Sequence, residues 1–151
     1  MDTKKIGNIG ESKAIAKFVE YGIPVYIPFG DNERCDLLAE FGGKINKVQI
    51  KSSTTFNGNC TTFCILSSSY HRNRQKRKYT EEEVDYFVLY DVVTDKMFLL
   101  DFSETGGHGE VRIRYTKTKN GNIKNIKYYN EYLIDDILKN TFGISAIKNN
   151  I

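Results

Sequence analysis

Arg34-Cys35-Asp36-Leu37-Leu38-Ala39-Glu40-Phe41-Gly42-Gly43-Lys44-Ile45-Asn46-Lys47-Val48-Gln49-Ile50-Lys51 is the stretch on which the fold turns. Two runs of strand-forming character flank Gly42-Gly43, a pair that can take positive φ at both positions of a two-residue hairpin turn. With that turn closed, Phe41 opposes Lys44 and Asp36 opposes Gln49. Side chains alternate with period two, so Lys51 shares the face of Gln49 while Val48 and Ile50 point into apolar packing. An acid, an amide and a lysine therefore gather at one end of the hairpin, within diagonal reach of one another. Taken alone, a cross-strand salt bridge accounts for Asp36 and Lys51 equally well.

Upstream, residues 8–21 predict a helix that Asn8 caps, with Ile15, Phe18 and Val19 as its apolar stripe and Gly22-Ile23-Pro24 as its stop. Glu11 falls on the face of Ile15 and Phe18, at i+4 and i+7. A carboxylate buried there is costly unless something positive meets it, whereas a capping or solvated glutamate is the plain alternative. Residues 25–29 read as a short strand. Downstream, residues 59–66, 86–93 and 96–102 read as strands, the last two around Thr94-Asp95, and residues 67–78 as a helix or basic loop. Residues 110–118 and 123–129 predict a polar, basic hairpin around Asn120-Gly121. Residues 131–139 close as an amphipathic helix using Leu133, Ile134, Ile137 and Leu138. Helices with a mixed sheet make this an α/β sandwich or α+β domain.

At 151 residues and 40% hydrophobic, the chain suits one domain over 1–151. Its core is expected over about 7–102, with the basic hairpin at 110–129 and the final helix and tail at 130–151. No apolar run approaches the ~20 residues of a membrane span. The opening Met-Asp-Thr-Lys-Lys leads directly into a helix signal, which argues against a secretory leader and for a cytoplasmic protein. Cys35, Cys60 and Cys64 are expected as buried thiols in a reducing compartment; zinc held by Cys60, Cys64 and His71 would have unusual spacing and no obvious fourth ligand. The net charge is only +3, so the arrangement of charge says more than its sum. Arg72, Arg74, Lys76, Arg77 and Lys78 form one cationic block. Arg112, Arg114, Lys117, Lys119, Lys124 and Lys127 form a second, with Tyr115, Tyr128 and Tyr129 among them. Basic runs are often mere solvated faces, but two with interleaved aromatics suit a surface that tracks phosphates.

The order Gly10-Glu11-Ser12-Lys13-Ala14, then Cys35-Asp36-Leu37, then Val48-Gln49-Ile50-Lys51-Ser52 resembles the PD-(D/E)XK nucleases, and more closely the short bacterial homing endonucleases encoded in group I introns. The first third of the chain carries the resemblance in detail; the remainder matches in size and element order. Cys35 stands where the signature has proline, and Gln49 where it has its second acid. The resemblance implies a restriction-endonuclease-like core, a mixed central sheet flanked by helices. It implies a site-specific double-stranded DNA endonuclease with Glu11, Asp36, Gln49 and Lys51 as catalytic residues. Metal would sit on Glu11, Asp36, Gln49 and the carbonyl of Ile50. Mg²⁺ is the expected ion, with Mn²⁺ able to substitute, and no organic cofactor or membrane is involved. The two cationic blocks would contact DNA, and the enzyme would act as a homo-oligomer, a dimer or dimer of dimers, with an interface near Leu133, Ile137, Leu138, Phe142, Ile144, Ile147 and Ile151. A Holliday-junction resolvase-like nuclease and a non-catalytic DNA-binding module are the alternatives, the latter favoured by Gln49.

Overall fold

Asp2, rather than Asn8, starts the first helix: its side chain accepts from the Lys4 N–H at 3.0 Å, and α1 runs Thr3–Glu20. The computed structural model describes residues 2–30, 33–67, 76–121 and 126–151. Along α1 the buried positions are Gly10, Ala14 and Phe18, with Tyr21 following at the C-cap. Val19, expected in the apolar stripe, is 56% exposed, because the three-to-four-residue spacing from Gly10 turns it away from the sheet. A side chain at Gly10 would collide with Ser52 Oγ, so glycine here lets the helix lie directly on a strand.

The strands are β1 (Val25–Tyr26), β2 (Leu37–Phe41), β3 (Lys44–Ser53), β4 (Cys60–Cys64), β5 (Tyr86–Asp91), β6 (Lys96–Asp101), β7 (Glu110–Arg114) and β8 (Lys127–Tyr128). Five form a sheet in the order β1-β2-β3-β5-β6. Its pairings are antiparallel except for β3 with β5, so the sheet is mixed, as expected. The β2–β3 register is the expected one, Leu37 opposite Val48 and Phe41 opposite Lys44, with Gly42 and Gly43 at φ 65° and 77°. β1 is shorter than expected because Pro28, lacking an N–H, cannot extend the ladder.

Both faces of this sheet are covered, which explains the unbroken apolar runs of β5 and β6. On one face, Leu37, Ala39, Val48, Ile50, Val88 and Leu99 pack against Ala14 and Phe18 of α1 and against Ile134 and Leu138. On the other, Phe87, Leu89, Phe98 and Leu100 pack against Phe63, Val111 and Ile113 of a second sheet ordered β4-β7-β8.

Among the described residues, the basic hairpin around Asn120-Gly121 does not form. Gly121 takes positive φ as its turn requires, but β7 pairs antiparallel with β4, and β8 joins β7 in parallel. Two features of β7 explain this. Val111 and Ile113 are buried, so β7 is a core strand rather than a projecting ribbon, and the Tyr115 hydroxyl is tied to Asp91 at 2.6 Å, which ends it.

The closing helix is also broken. Short turns at α2 (Tyr129–Tyr132) and α3 (Ile134–Asp136) flank Leu133, whose extended backbone bridges to Phe98 on the edge strand β6; a wider turn, Ile137–Thr141, follows. Leu138 is fully buried and Phe142 stacks edge-on against Phe41 at 5.0 Å. Leu133, Ile137 and Ile144 also pack on the chain's own core, which leaves Ile147 and Ile151 exposed. The C-terminal residues expected to form an interface thus mostly fold over their own sheet. The cysteine expectation fails in part as well: Cys35 and Cys60 are half-buried and Cys64 is exposed. Residues 68–75, including Arg72, Arg74 and His71, lie outside the described residues. Their flanks, Ser67 and Arg77, pair as an antiparallel bridge. Among the described residues, no helix is long and apolar enough to cross a membrane.

Candidate active site

A cleft of about 730 Å³ opens between the N-terminal half of α1, the end of β3 and the start of the second sheet. Glu11, Asp36, Gln49, Ile50 and Lys51 all line it. A second cavity of about 500 Å³, around Lys44, Asp85 and Asp101, holds none of the expected site residues. What brings the five together is the hairpin register plus the tight seating of α1 at Gly10, one residue before Glu11.

Asp36 lies just before β2, its N–H donating to the Val48 carbonyl at 2.9 Å. Its Oδ2 accepts the Ile50 N–H at 2.8 Å. Burial holds its carboxyl above the usual range, opposed by that N–H, by the Lys51 charge and by a hydrogen bond from Gln49. Gln49 is 7% exposed, so its amide is committed to this interior. Glu11 is exposed by surface area, yet the protein crowding its carboxylate raises its pKa, and the charge of Asp36 raises it further. The expectation that Glu11 is buried with the apolar stripe is therefore corrected: it stands at the cleft wall. Two carboxylates that resist ionisation, both through burial and Glu11 also through the charge of Asp36, suit a hard cation, which would relieve both. Among the described residues no three His, Cys, Asp or Glu side chains converge as a metal site. The candidate oxygen donors that line the cleft are two acids, an amide and a backbone carbonyl. That set fits Mg²⁺ better than zinc, whose usual ligands are nitrogen and sulfur.

Lys51 donates to the Leu66 carbonyl at 2.9 Å and lies 5.2 Å from the ring centre of Tyr79. Burial lowers its pKa, although the charge of Asp36 works the other way. The Tyr79 hydroxyl is pushed up to about 12, chiefly by burial and then by Asp36, so it stays a neutral phenol. Arg34 lies over the same ring at 4.7 Å and donates to Glu83 at 3.2 Å. Sequence reasoning missed Arg34, Tyr79 and Glu83. Arg34 stands two residues from Asp36 and could have been noticed; the other two arrive through tertiary packing that no local pattern announces.

The second sheet supplies the far wall. Thr62, Cys64 and Glu110 line the cleft, and Arg112 is the cross-strand partner of Thr62, which puts its exposed side chain beside the cleft. Arg112 pairs with Glu110 at 2.9 Å, and Arg114 curls onto the Thr116 carbonyl at 2.7 Å. Lys117 and Lys119 are exposed beyond the strand. Of the first cationic block, Lys76 approaches Cys64 Sγ at 3.8 Å, Arg77 pairs with Glu83 at 2.6 Å and Lys78 is exposed.

A family model described as PD-(D/E)XK endonuclease matches residues 1–135. Among solved structures, a bacterial homing endonuclease, I-Ssp6803I, is similar over 88% of this chain and 89% of its own, with a TM-score of 0.68 and 23% identity. Among curated proteins none matches.

Proposed function

Since the chain belongs to the PD-(D/E)XK endonuclease family, we propose that it is a divalent-metal-dependent DNA endonuclease that cuts double-stranded DNA at a specific site. The observation that carries this reading is the cleft lined by Glu11, Asp36, Gln49, Ile50 and Lys51 together. Asp36, Gln49, the Ile50 carbonyl and Glu11 would hold Mg²⁺, with Mn²⁺ able to replace it. When bound, the ion would supply Lewis acidity and a water of lowered pKa. Lys51, already partly desolvated, would keep its cationic end on the scissile phosphate and offset the charge that builds there. Asp36 accepts the Ile50 N–H, which ties the carboxylate that would bind metal to the strand carrying Lys51.

Arg112 and Arg114 on the second sheet, with Lys76, Arg77, Lys78, Lys117 and Lys119, would track phosphates on either side of the cut. Arg72 and Arg74 extend the first block. Such contacts position DNA without reading it. A duplex has two strands and one cleft serves one of them, so we place two or more copies on each site, as a dimer or dimer of dimers. The neighbour of like fold is a bacterial homing endonuclease, and we take that class of nuclease as the reading for the kind of cut.

Incubation with supercoiled plasmid tests the reading. Mg²⁺ should yield nicked and linear DNA, and chelator should yield neither. A protein that binds duplex but never breaks it, with Mg²⁺ or Mn²⁺, would be a binding module on this fold. With no protruding ribbon among the described residues to read a groove, a structure-selective nuclease is the second reading. Preference for any four-way junction over every linear duplex would establish it.

A further inference from the structure

The guanidinium of Arg34 is anchored on one side only. Its Nε donates to Glu83 Oε1 at 3.2 Å and its plane lies 4.7 Å from the Tyr79 ring centre. Its Nη2 is buried and has no hydrogen-bond partner among the described residues. A guanidinium offers five N–H donors in a rigid fork, and buried donors left unpaired are uncommon in folded proteins. Glu83 does not resolve the shortage. The same Oε1 accepts Arg77 at 2.6 Å, and Oε2 accepts the Thr80 N–H at 3.0 Å, so one carboxylate serves two guanidinium groups. Lys51 lies against the same ring at 5.2 Å, and its ammonium feels the charge of Arg34. The result is two cations on one aromatic ring, one of them the cleft-lining Lys51, with an Arg34 donor that no described residue satisfies. A forked donor with spare N–H groups beside a point cation is the arrangement that suits a phosphate, whose oxygens accept several bonds at once.

We propose that Arg34 is a phosphate-contacting residue, whose Nη2 takes a non-bridging oxygen of the DNA backbone next to the phosphate engaged by Lys51. The side chain as a whole is 31% exposed. Contact with a ligand then takes a rotation of the guanidinium about its Glu83 anchor, with the Tyr79 ring beneath its plane. The proposal rests on the nuclease reading given above.

Two measurements test it separately from that reading. In the first, the arginine side chains of the full chain carry ¹⁵N, Arg34 is assigned by its disappearance in R34K, and inorganic phosphate is titrated with magnetic resonance as readout. The Arg34 signal should shift, and the shift should shrink when Lys51 is replaced by Ala. A signal indifferent to phosphate overturns the proposal even if the enzyme cuts DNA. In the second, R34M and R34K are compared with wild type for plasmid nicking in Mg²⁺ and for melting temperature. R34M should nick roughly 10²-fold more slowly, the scale of losing one charge-stabilising donor, with its melting temperature held; R34K should fall between. Wild-type nicking by R34M, or a rate lost only in step with stability while R34K is fully active, overturns the assignment. Should wild type nick nothing, the nuclease reading fails by itself and the phosphate titration still decides Arg34.

Discussion

Asp36 and Glu11 carry carboxyl groups whose pKa values are raised, mainly by burial, and in Glu11 also by the charge of Asp36. The native state therefore holds their protons more tightly than the unfolded chain does. By linkage, their contribution to stability is full below the ordinary carboxylate range and is lost as pH rises through the raised folded values. Asp91, Asp95 and Asp135 are shifted the other way and contribute with the opposite sign. The test is thus the difference between wild type and Asp36→Asn in chelator: wild type should lose melting temperature relative to the variant as pH climbs across that window. Mg²⁺ should restore it most at the upper end. Parallel curves in chelator would remove the strain assigned to Asp36. For Lys51 the expectation is catalytic. Lys51→Ala should abolish plasmid nicking while leaving duplex affinity and melting temperature nearly intact, and an unchanged rate would reassign Lys51 to holding the Leu66 carbonyl. Asp36, Gln49 and Lys51 were legible because a two-residue turn fixes register and register fixes face. Glu11 was legible in position but not in burial, since helix periodicity gives a direction and says nothing of how far the neighbouring strand extends.

At the scale of elements, the second sheet is where the proposed function would have DNA approach the cleft. Arg112 and Arg114 alternate with Val111 and Ile113, so β7 has one polar face and one core face. The sequence suggests a two-sided ribbon because Asn120-Gly121 is a strong turn signal between two basic runs, with Tyr115 in the first of them. Its hydroxyl is in fact bound by Asp91 at 2.6 Å, inside the protein. The β2–β3 hairpin could be read locally, whereas β7 with β8 is a parallel pairing across a long connection, which turn chemistry cannot reveal. A single basic face makes a sharper prediction than a ribbon would. Replacing Arg112 and Arg114 with Gln should weaken binding on all sequences. It should also flatten the salt dependence by roughly 0.9 log units of slope for each phosphate that the variant no longer neutralises. Binding measured across a series of salt concentrations checks this; an unchanged slope would place DNA elsewhere.

For the whole molecule, the proposed function asks how a chain with this cleft would break both strands of a duplex. Most of the C-terminal apolar residues expected at an interface pack on the chain's own core, and Ile147 and Ile151 remain exposed. Leu138 is fully buried, and Phe142 fills the space over Gly42, where a side chain would strike its ring. These residues close the core on the side of α1, so their loss should act on folding and not on assembly. Leu138→Ala should cost about 2–5 kcal/mol of stability, as large-to-small changes at buried sites do, while leaving the number of copies in the folded protein unchanged. The large apolar side chains that remain exposed include Tyr26 on the edge strand β1, Ile27 and Phe29 just after it, and Ile45 at the start of β3. Light scattering on the free protein and on its complex with cleavable duplex, held uncut in Ca²⁺, reads the assembly directly. We expect at least two chains per duplex, and an unaltered count for Leu138→Ala at a temperature where it is folded. A single chain on the duplex that nevertheless converts plasmid directly to linear form would rule out paired clefts. A count that falls with Leu138→Ala would return the interface to the C-terminus.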